Sequence, residues 1–308
     1  PAAVAASPCP ATSPTPPKAP VPAPGAIHVC YSHTPVRYAW DRTADYISGS
    51  SPLLVLARPA LVAAATWLRR FDASTLPRVD RFVANSRNTA DKIRRFYDRE
   101  AIVVPPPVEF DRFTGLERKD PSYDLVLSGL VPYKRVDMAI DAYRLLPDRR
   151  LVVVGGGPEF ERLNRNKPDN VEMTGRVPEE ALAGWYCGAQ LLIFPGEEDF
   201  GIVPLEAQAC GVPVVAFSKG GALESVVENK TGHFFDEPTP AALAAAIEEA
   251  AVMPWSEADC RANANRFARQ TFLERIVRAV HQTCTASPAR QRRMRLQART
   301  NTDVGGER

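Results

Sequence analysis

Two glutamates, Glu198 and Glu206, have seven residues between them and flank a predicted junction between a strand and a helix. The apolar run 191–194 is typical of a buried strand, Gly201 permits a loop after it, and Pro204 suits the first turn of a helix. In a parallel α/β sheet such a junction lies at the carboxyl edge, where ligands bind. The spacing therefore puts two carboxylates where chemistry can take place.

The predicted helix would begin with free backbone N–H groups at Gly201, Ile202 and Val203, a natural site for an anionic phosphate. Glu206, one turn in, could accept hydrogen bonds from ribose hydroxyls, and Glu198 on the loop could face a sugar ring. The alternative is a solvated loop acid and an acid that favours the helix dipole. The spacing alone favours this alternative.

Strand-like and helix-like segments alternate along the chain, which is typical of an α/β fold with doubly wound parallel sheets. Eight runs predict strands: 27–31, 81–84, 101–104, 124–127, 151–154, 171–173, 191–194 and 212–216. Six segments predict helices: 89–97, 136–146, 179–187, 204–209, 240–251 and 258–283. The stiff connector Pro105-Pro106-Pro107 predicts a boundary between two Rossmann-like lobes, 26–107 and 108–285.

The two ends of the sequence differ from this pattern. Residues 1–25 contain nine prolines and seven alanines, a composition that predicts an extended, disordered leader. The polar, Arg-rich segment 286–308 is predicted to be a disordered tail. Only three predicted strands precede the proline connector, so we expect the N-terminal lobe to be incomplete.

Charge is distributed unevenly over the 308 residues, although the formal net charge is only +2. The segment 26–104 holds twelve Lys/Arg against seven Asp/Glu, a balance of +5, and 123–285 holds sixteen against twenty-three, a balance of −7. A basic face with the pairs Arg69-Arg70 and Arg94-Arg95 could meet anionic lipid, a phosphorylated acceptor or nucleic acid. Basic and aromatic residues do not alternate as in single-strand binders, so no nucleic-acid partner is expected.

The six cysteines are scattered without the spacing of a zinc site, which predicts reduced thiols and no structural metal. The longest apolar stretch, 53–68, is interrupted by Arg58-Pro59 and is too short to span a bilayer. The sequence also has no charged start followed by an apolar run, the pattern of a secretory signal. We therefore expect a cytoplasmic protein.

Three consecutive glycines, Gly155-Gly156-Gly157, follow a predicted strand. They lack the further glycine of a G-x-G-x-x-G dinucleotide fingerprint, and a tight turn from strand to helix explains them.

The stretch 198–215 resembles the E-x7-E signature of GT-B-fold glycosyltransferases of family 4, also called group 1. Further stretches resemble that family in the same order along the chain: 128–137, 154–158, 174–177 and 220–224. Upstream, 28–41 and 83–87 resemble the N-terminal domain of a mannosyltransferase-like subgroup. The resemblance covers about residues 27–285, and it implies a C-terminal donor lobe facing an N-terminal acceptor lobe.

The resemblance also implies roles for basic residues. Lys134 corresponds to the family's cation on the donor pyrophosphate, where an ammonium can neutralise the leaving diphosphate without a metal; the alternative is a solvated lysine at the start of a helix. The family often has an arginine where this chain has Gly129, so Arg135 is expected to help. The loop with Arg176 and Val177 is expected to hold the nucleotide base.

His33 corresponds to the histidine that faces the donor sugar in related enzymes, and a structural histidine satisfied by backbone groups is the alternative. Arg37 and Asp41 are expected on the acceptor side. The expected catalytic residues are thus Glu198, His33 and Lys134. The donor site is completed by the strand–helix junction: Gly201, Ile202, Val203 and Glu206.

The activity implied by the resemblance is retaining, metal-independent transfer of a hexose, with mannose as one option. The donor would be a GDP-sugar or UDP-sugar, without a further cofactor, and the acceptor a glycan or a lipid-linked sugar. Such a hexosyltransferase would serve polysaccharide biosynthesis, with peripheral contact at the inner face of the membrane as a further expectation.

This sequence departs from the family at its start. Family members begin with a strand and a glycine-rich loop that approaches donor phosphate and acceptor, and here the Pro/Ala segment takes their place. We therefore expect an N-terminally truncated protein. Two alternatives stay open: a catalytically impaired remnant that binds a nucleotide sugar, and a sugar-nucleotide epimerase on the same fold. The combination of E-x7-E with Lys134 favours transfer.

Overall fold

The computed structural model describes residues 4–9, 26–41, 52–113, 118 and 120–286. The chain divides into two units, one of Pro1–Pro105 with Leu273–Arg308 and one of Pro106–Phe272. The division falls inside the proline connector. Residues 10–25 and the predicted tail beyond 286 lie outside the described residues.

The first unit is built on a four-stranded parallel sheet in the order β1-β2-β3-β4. Its strands are β1 Val4–Cys9, β2 Ile27–Ser32, β3 Arg81–Ala84 and β4 Ala101–Val103. Its described residues include the helices α1 Arg37–Trp40, α2 Pro52–Thr75 and α3 Arg87–Tyr97. The strands β2, β3 and β4 confirm the three predicted from the sequence.

The strand β1 is a correction to the predicted leader. Val4 pairs with Ile27 and Cys9 with Ser32 in a parallel register, so the expectation of disorder is wrong over these six residues. Composition averaged over residues 1–25 obscured a short strand that contains only Pro8. Among the described strands β1 lies at the edge of the sheet, a position that accommodates a proline because its missing N–H is not needed for a second neighbouring strand.

Helix α2 was also missed by the sequence reading, because Pro59 lies inside it. It is held by Asp72, a buried carboxylate that accepts hydrogen bonds from Trp40 Nε1 at 2.8 Å and Tyr97 Oη at 2.7 Å. These bonds join α1, α2 and α3, and burial raises the pKa of Asp72. Among the helices of the described residues, none is long and apolar enough to cross a membrane.

The second unit is built on a six-stranded parallel sheet in the order β10-β9-β8-β5-β6-β7. Its strands are β5 Tyr123–Leu127, β6 Leu151–Val154, β7 Val171–Gly175, β8 Ala189–Phe194, β9 Val214–Phe217 and β10 Gly232–Phe235. Its helices are α4 Val136–Tyr143, α5 Phe160–Asn166, α6 Leu182–Cys187, α7 Ile202–Ala209, α8 Ala222–Ser225, α9 Pro240–Val252 and α10 Glu257–Asn265. Helix α11, Arg269–Ala286, begins in this unit and ends in the first.

Both faces of the six-stranded sheet are covered, which explains the continuous apolar runs. Successive residues of β5 belong to different cores, with Leu125 in one buried cluster and Val126 in the other. The predicted α/β architecture with parallel sheets is therefore confirmed. Helices α5 and α8 and strand β10 were not predicted, and α10 and α11 were predicted as one helix, 258–283.

A buried polar network secures the amino-terminal end of β5. Asp124, 1% exposed, accepts a hydrogen bond from Tyr143 Oη at 2.6 Å. It also accepts hydrogen bonds from Arg149, from Nε at 2.9 Å and from Nη2 at 2.8 Å. A buried carboxylate is stable in such a place only when it is paired and fully hydrogen-bonded. This network ties β5 to α4 and to the segment before β6.

We expect Asp124→Ala to lower the opening free energy of the second unit by about 2–4 kcal/mol, because Tyr143 and Arg149 would lose their partner in a buried site. The measurement is hydrogen exchange resolved to the amides of β5 and β6. Asp141→Ala is the matched control, since Asp141 pairs with Arg144 at 3.2 Å on the surface and should cost at most about 1 kcal/mol. Equal effects of the two substitutions would contradict the stabilising role of the Asp124 network.

Candidate functional site

The strand order of the second unit reverses between β5 and β8. From β5 the chain proceeds outward to β6 and β7, and from β8 it proceeds in the other direction to β9 and β10. Loops that leave two adjacent parallel strands in opposite directions open a crevice at the carboxyl edge, the usual ligand site of such sheets. The loop after β5 carries Lys134, and the loop after β8 carries Glu198.

Lys134 ends a 3-10 turn, Pro132–Lys134, in which its N–H donates to Val131 O at 3.0 Å. Arg135 follows in the left-handed region with φ 53° and is the residue directly before α4. This tight turn keeps Lys134 beside the end of β5. Arg135 Nε lies 3.6 Å from Asp137 Oδ1, and both side chains are partly exposed.

Lys134 and Glu198 form an ion pair. The two side chains are only 17% and 18% exposed, so the charges are partly withdrawn from water and their attraction is screened less than at an open surface. The structure thus brings together two of the residues predicted to be catalytic. The pair joins the loops on the two sides of the switch point.

Two close backbone approaches hold the Glu198 loop. A Cβ on Gly196 would lie 2.8 Å from Lys134 O, and one on Gly221 would lie 2.2 Å from Phe200 Cα. Gly221 N also donates to Glu198 O at 2.8 Å. The loop after β9 therefore supports the backbone that carries Glu198. In the sequence, the pair Gly220-Gly221 belonged to the stretch 220–224 that resembles the family, but no role was predicted for either glycine.

Helix α7 begins at Ile202, directly after Gly201 with φ 78°. The positive φ suits glycine and turns the chain sharply into the helix. The first N–H groups of a helix have no partner within the helix, so those of Ile202 and Val203 are available to an anion near the switch point. Ile202 is exposed, and Val203 packs against the core.

The loops after β6 and β7 complete this edge of the sheet. Gly155, with φ 146°, donates to Gly175 O at 2.9 Å, and Leu130 N donates to Gly156 O at 3.0 Å. The glycine run is thus the tight turn predicted from the sequence. The side chain of the exposed Arg176 lies over Gly156, and Val177 packs against the core next to it.

Glu206 has a different partner from Glu198. Its Oε2 accepts a hydrogen bond from Tyr186 Oη at 2.7 Å, and burial raises the pKa of Glu206. The hydrogen bond from Tyr186 and the charge of Arg112 oppose that rise. Tyr186 and Arg112 were not predicted as site residues, because neither belongs to a recognisable sequence motif.

The remaining predicted residues belong to the first unit. His33 follows β2, its ring meets Tyr31 edge to face at 5.2 Å, and Thr89 Oγ1 donates to its carbonyl oxygen at 3.2 Å. Although the residue is exposed, neighbouring atoms desolvate the ring and lower the pKa of His33. Asp41 is paired with Lys92, and Arg37 begins α1. The described residues contain no group of three or more His, Cys, Asp or Glu arranged for a metal.

A family model described as glycosyl transferases group 1 matches residues 107–267, more than half of the chain. The chain belongs to this family. The predicted family is therefore confirmed, and the match includes Lys134, Glu198 and Glu206.

Curated proteins extend the comparison of this group 1 chain. It is 38% identical over 172 residues to the GDP-mannose-dependent alpha-(1-6)-phosphatidylinositol monomannoside mannosyltransferase of Mycolicibacterium smegmatis, covering 47% of this chain and 45% of the relative. It is 30% identical over 250 residues to the D-inositol 3-phosphate glycosyltransferase of Streptomyces avermitilis, covering 70% and 54%. The chain spans about half the length of these curated relatives.

Among solved structures, the group 1 chain is similar to Anabaena HepE in complex with UDP and glucose. The TM-score is 0.58 at 16% identity, covering 83% of this chain and 86% of that one. At this identity the likeness shows the fold, and it agrees with the parallel α/β sheets described above.

We expect Gly221→Ala to destabilise the second unit by about 1–3 kcal/mol, because an added methyl must displace the Phe200 backbone. Gly221 has an ordinary φ of −70°, so the effect would be steric alone. Gly184→Ala is the control, since nothing lies within 4 Å of its added Cβ. Alanine has a higher helix propensity than glycine, so this substitution should stabilise the protein by up to about 1 kcal/mol. Thermal unfolding compares the two, and a Gly221→Ala protein as stable as the parent would contradict the tight packing.

Proposed function

We propose that the protein transfers a sugar from a nucleotide-sugar donor to an acceptor hydroxyl. The observation that carries the proposal is the Lys134–Glu198 ion pair at the switch point of the sheet. A cation for a leaving diphosphate and an anion for sugar hydroxyls are the two charges that such a donor requires. Membership of the group 1 family supports the same reaction.

In the proposed reaction, the bond from the anomeric carbon to the diphosphate oxygen breaks and the acceptor oxygen bonds to the same face. The acceptor proton passes to the departing phosphate oxygen, so the configuration is retained without a side-chain nucleophile. Lys134 and the first amides of α7, those of Ile202 and Val203, stabilise the charge on the diphosphate. These groups would serve without a metal.

The other predicted residues have supporting roles in this proposal. Arg135 adds positive charge beside the phosphates, and the loop with Arg176 and Val177 holds the base, chiefly through backbone groups. Glu206 accepts hydrogen bonds from the ribose. In the first unit, His33 is proposed to face the sugar. Arg37 and Asp41 are proposed for the acceptor side.

The donor and acceptor are proposed from the relatives. The name of the Mycolicibacterium smegmatis relative specifies GDP-mannose and a phosphatidylinositol monomannoside, and Anabaena HepE was solved with UDP and glucose. We therefore propose a GDP-hexose or UDP-hexose donor, with mannose as the first sugar to test. The proposed acceptor is a glycan or a lipid-linked sugar.

Calorimetry with UDP and GDP, with and without a chelator, tests donor binding. Turnover of GDP-mannose and UDP-glucose with a mannosylated lipid tests transfer, and the anomeric configuration of the product tests retention. Failure of both nucleotides to bind the folded protein would overturn the donor site. Binding without any turnover would instead favour a nucleotide-sugar-binding remnant.

We expect Lys134→Ala to weaken nucleotide binding and Glu198→Gln not to weaken it. Loss of the ammonium should weaken UDP or GDP binding by about 10- to 100-fold, the scale of a hydrogen bond to a charged group. Loss of the Glu198 charge should leave binding unchanged or several-fold tighter, because Lys134 is then free for phosphate, while transfer falls by at least about tenfold. Calorimetry and initial rates measure both, and equal weakening by the two substitutions would contradict the division of roles.

We also propose that the first unit contacts anionic membranes through α2. Its apolar side chains include Leu56 at 81%, Trp67 at 59% and Val62 at 51% exposure, and the exposed Arg70 lies on the same helix. Apolar side chains interleaved with arginines are typical of helices that lie in a membrane interface. A lipid acceptor, as in the name of the Mycolicibacterium smegmatis relative, would be met there.

We expect the protein to sediment with vesicles that contain phosphatidylglycerol more than with neutral vesicles, and less so as salt rises. Trp67→Glu should lower that binding by about tenfold, because an apolar side chain is lost and a negative charge is gained. Val252→Glu is the control, since Val252 is 85% exposed in the second unit. Vesicle binding that does not depend on lipid charge, or that both variants lower equally, would contradict the proposed contact of α2 with the membrane.

A further inference from the structure

Tyr186 is a fully buried side chain with a polar end directed at the proposed donor site. It lies on α6 with 0% of its surface exposed, and the ring of Phe113 meets it edge to face at 5.8 Å. Its hydroxyl donates to Glu206 Oε2 at 2.7 Å. A buried tyrosine hydroxyl normally requires a partner, and a carboxylate is a strong one. Packing therefore fixes the ring, and the ring fixes the place of the hydroxyl.

The hydrogen bond makes the two oxygens of Glu206 unequal. Oε2 is occupied by the tyrosine hydroxyl, so the carboxylate cannot rotate without breaking a bond in a largely buried place. Oε1 then has a defined direction. A fixed carboxylate oxygen suits a hydroxyl ligand, because the hydrogen bond forms without loss of side-chain freedom.

Three charged groups act on Glu206 together with Tyr186. Arg112 lowers the pKa of Glu206, and Glu179 and Glu109 raise it, while burial has the largest raising effect. Arg112 is itself paired with Glu179 at 2.5 Å and lies 3.5 Å from Glu109. The net positive influence of Arg112 is thus reduced by its own partners. The hydroxyl of Tyr186 lowers the pKa of Glu206 through a direct hydrogen bond, whereas Arg112 lowers it through its charge.

We propose that Tyr186 is a positioning residue for nucleotide recognition: by holding Oε2 of Glu206, it presents Oε1 to the 2′ and 3′ hydroxyls of the ribose. The inference rests on the proposed function, in which Glu206 binds ribose. It adds a residue that touches no ligand and acts through Glu206 alone. The expected consequence is a preference for ribose over sugars that lack those hydroxyls, and this preference depends on Tyr186.

The test compares UDP with 2′,3′-dideoxy-UDP by calorimetry, with GDP and its dideoxy form as a second pair. Tyr186→Phe should weaken binding of the ribonucleotide by about five- to twentyfold and that of the dideoxy form by less than about twofold. Tyr143→Phe is the matched control, because Tyr143 is also a buried tyrosine that donates to a carboxylate, Asp124, at the opposite edge of the same sheet. It should affect stability and leave the ribose preference unchanged.

Two further readouts separate positioning from a general structural role. In Tyr186→Phe the pKa of Glu206 should rise, so on acidification the ribonucleotide affinity should begin to fall at a higher pH than in the parent. Glu206→Gln should lose most of the ribose preference even with Tyr186 present. The reason is that the amide oxygen takes the tyrosine hydroxyl and no anionic acceptor remains for the ribose. If Tyr186→Phe does not fold, Glu206→Gln still decides the matter in one direction: a ribose preference retained in this variant would overturn a role for Tyr186 that acts through Glu206 alone.

The outcomes are distinct. If the parent protein binds neither nucleotide, the proposed function fails. If the parent binds and Glu206→Ala loses the ribose preference, but Tyr186→Phe retains it, the positioning role is overturned. Equal weakening of ribo and dideoxy forms by Tyr186→Phe would likewise overturn it, since a packing defect does not distinguish the two sugars.

Discussion

The ion pair between Lys134 and Glu198 is the interaction on which the site depends, because it spans the point where the sheet changes direction. Each residue alone would be a charged side chain on a loop. Together they join the loops that leave β5 and β8, two neighbouring strands of the sheet. The start of α7 follows within a few residues of Glu198, so the first amides of that helix belong to the same loop as one member of the pair.

This pair is arranged by backbone contacts rather than by its own attraction. A partly exposed ion pair contributes little to stability. The 3-10 turn before Arg135 and the approach of the Glu198 loop to Gly221 place the two charges in advance. Stability is supplied elsewhere, by the cores on both faces of the sheet and by the Asp124 network at the other end of β5. The proposed donor site and the Asp124 network therefore lie at opposite edges of the same sheet.

Much of the second unit could be predicted from the sequence, because parallel strands covered on both faces leave continuous apolar runs. The runs 151–154 and 191–194 are examples that the structure confirms. The strand β1 could not be predicted, because it is ordered by pairing with β2 and the proline-rich composition around it predicts disorder. Helix α2 was not predicted for a related reason. A proline inside a helical pattern predicts the end of a helix, and the tertiary contacts that hold α2 together around Pro59, such as those of Asp72, are not visible in the sequence.

Only the residues of the site that belong to sequence motifs could be predicted. The spacing of Glu198 and Glu206 and the resemblance at Lys134 identified the charged residues, and they could not show that the two glutamates have different partners. Tyr186 lies 20 residues before Glu206, in a segment whose pattern indicated only a helix. A hydrogen bond between residues on separate elements depends on the packing of those elements, and that information is not local.

The close approaches at Gly196 and Gly221 have a consequence for how such a site can diverge. Where a single added carbon would meet the backbone of another loop, neither loop can change its path alone, so the frame around the ion pair resists gradual remodelling. Side chains that project from this frame, such as the exposed Arg176 and Ile202, are not constrained in that way. New ligand preferences would therefore arise by exchange of these outward residues while the backbone around the ion pair keeps its path.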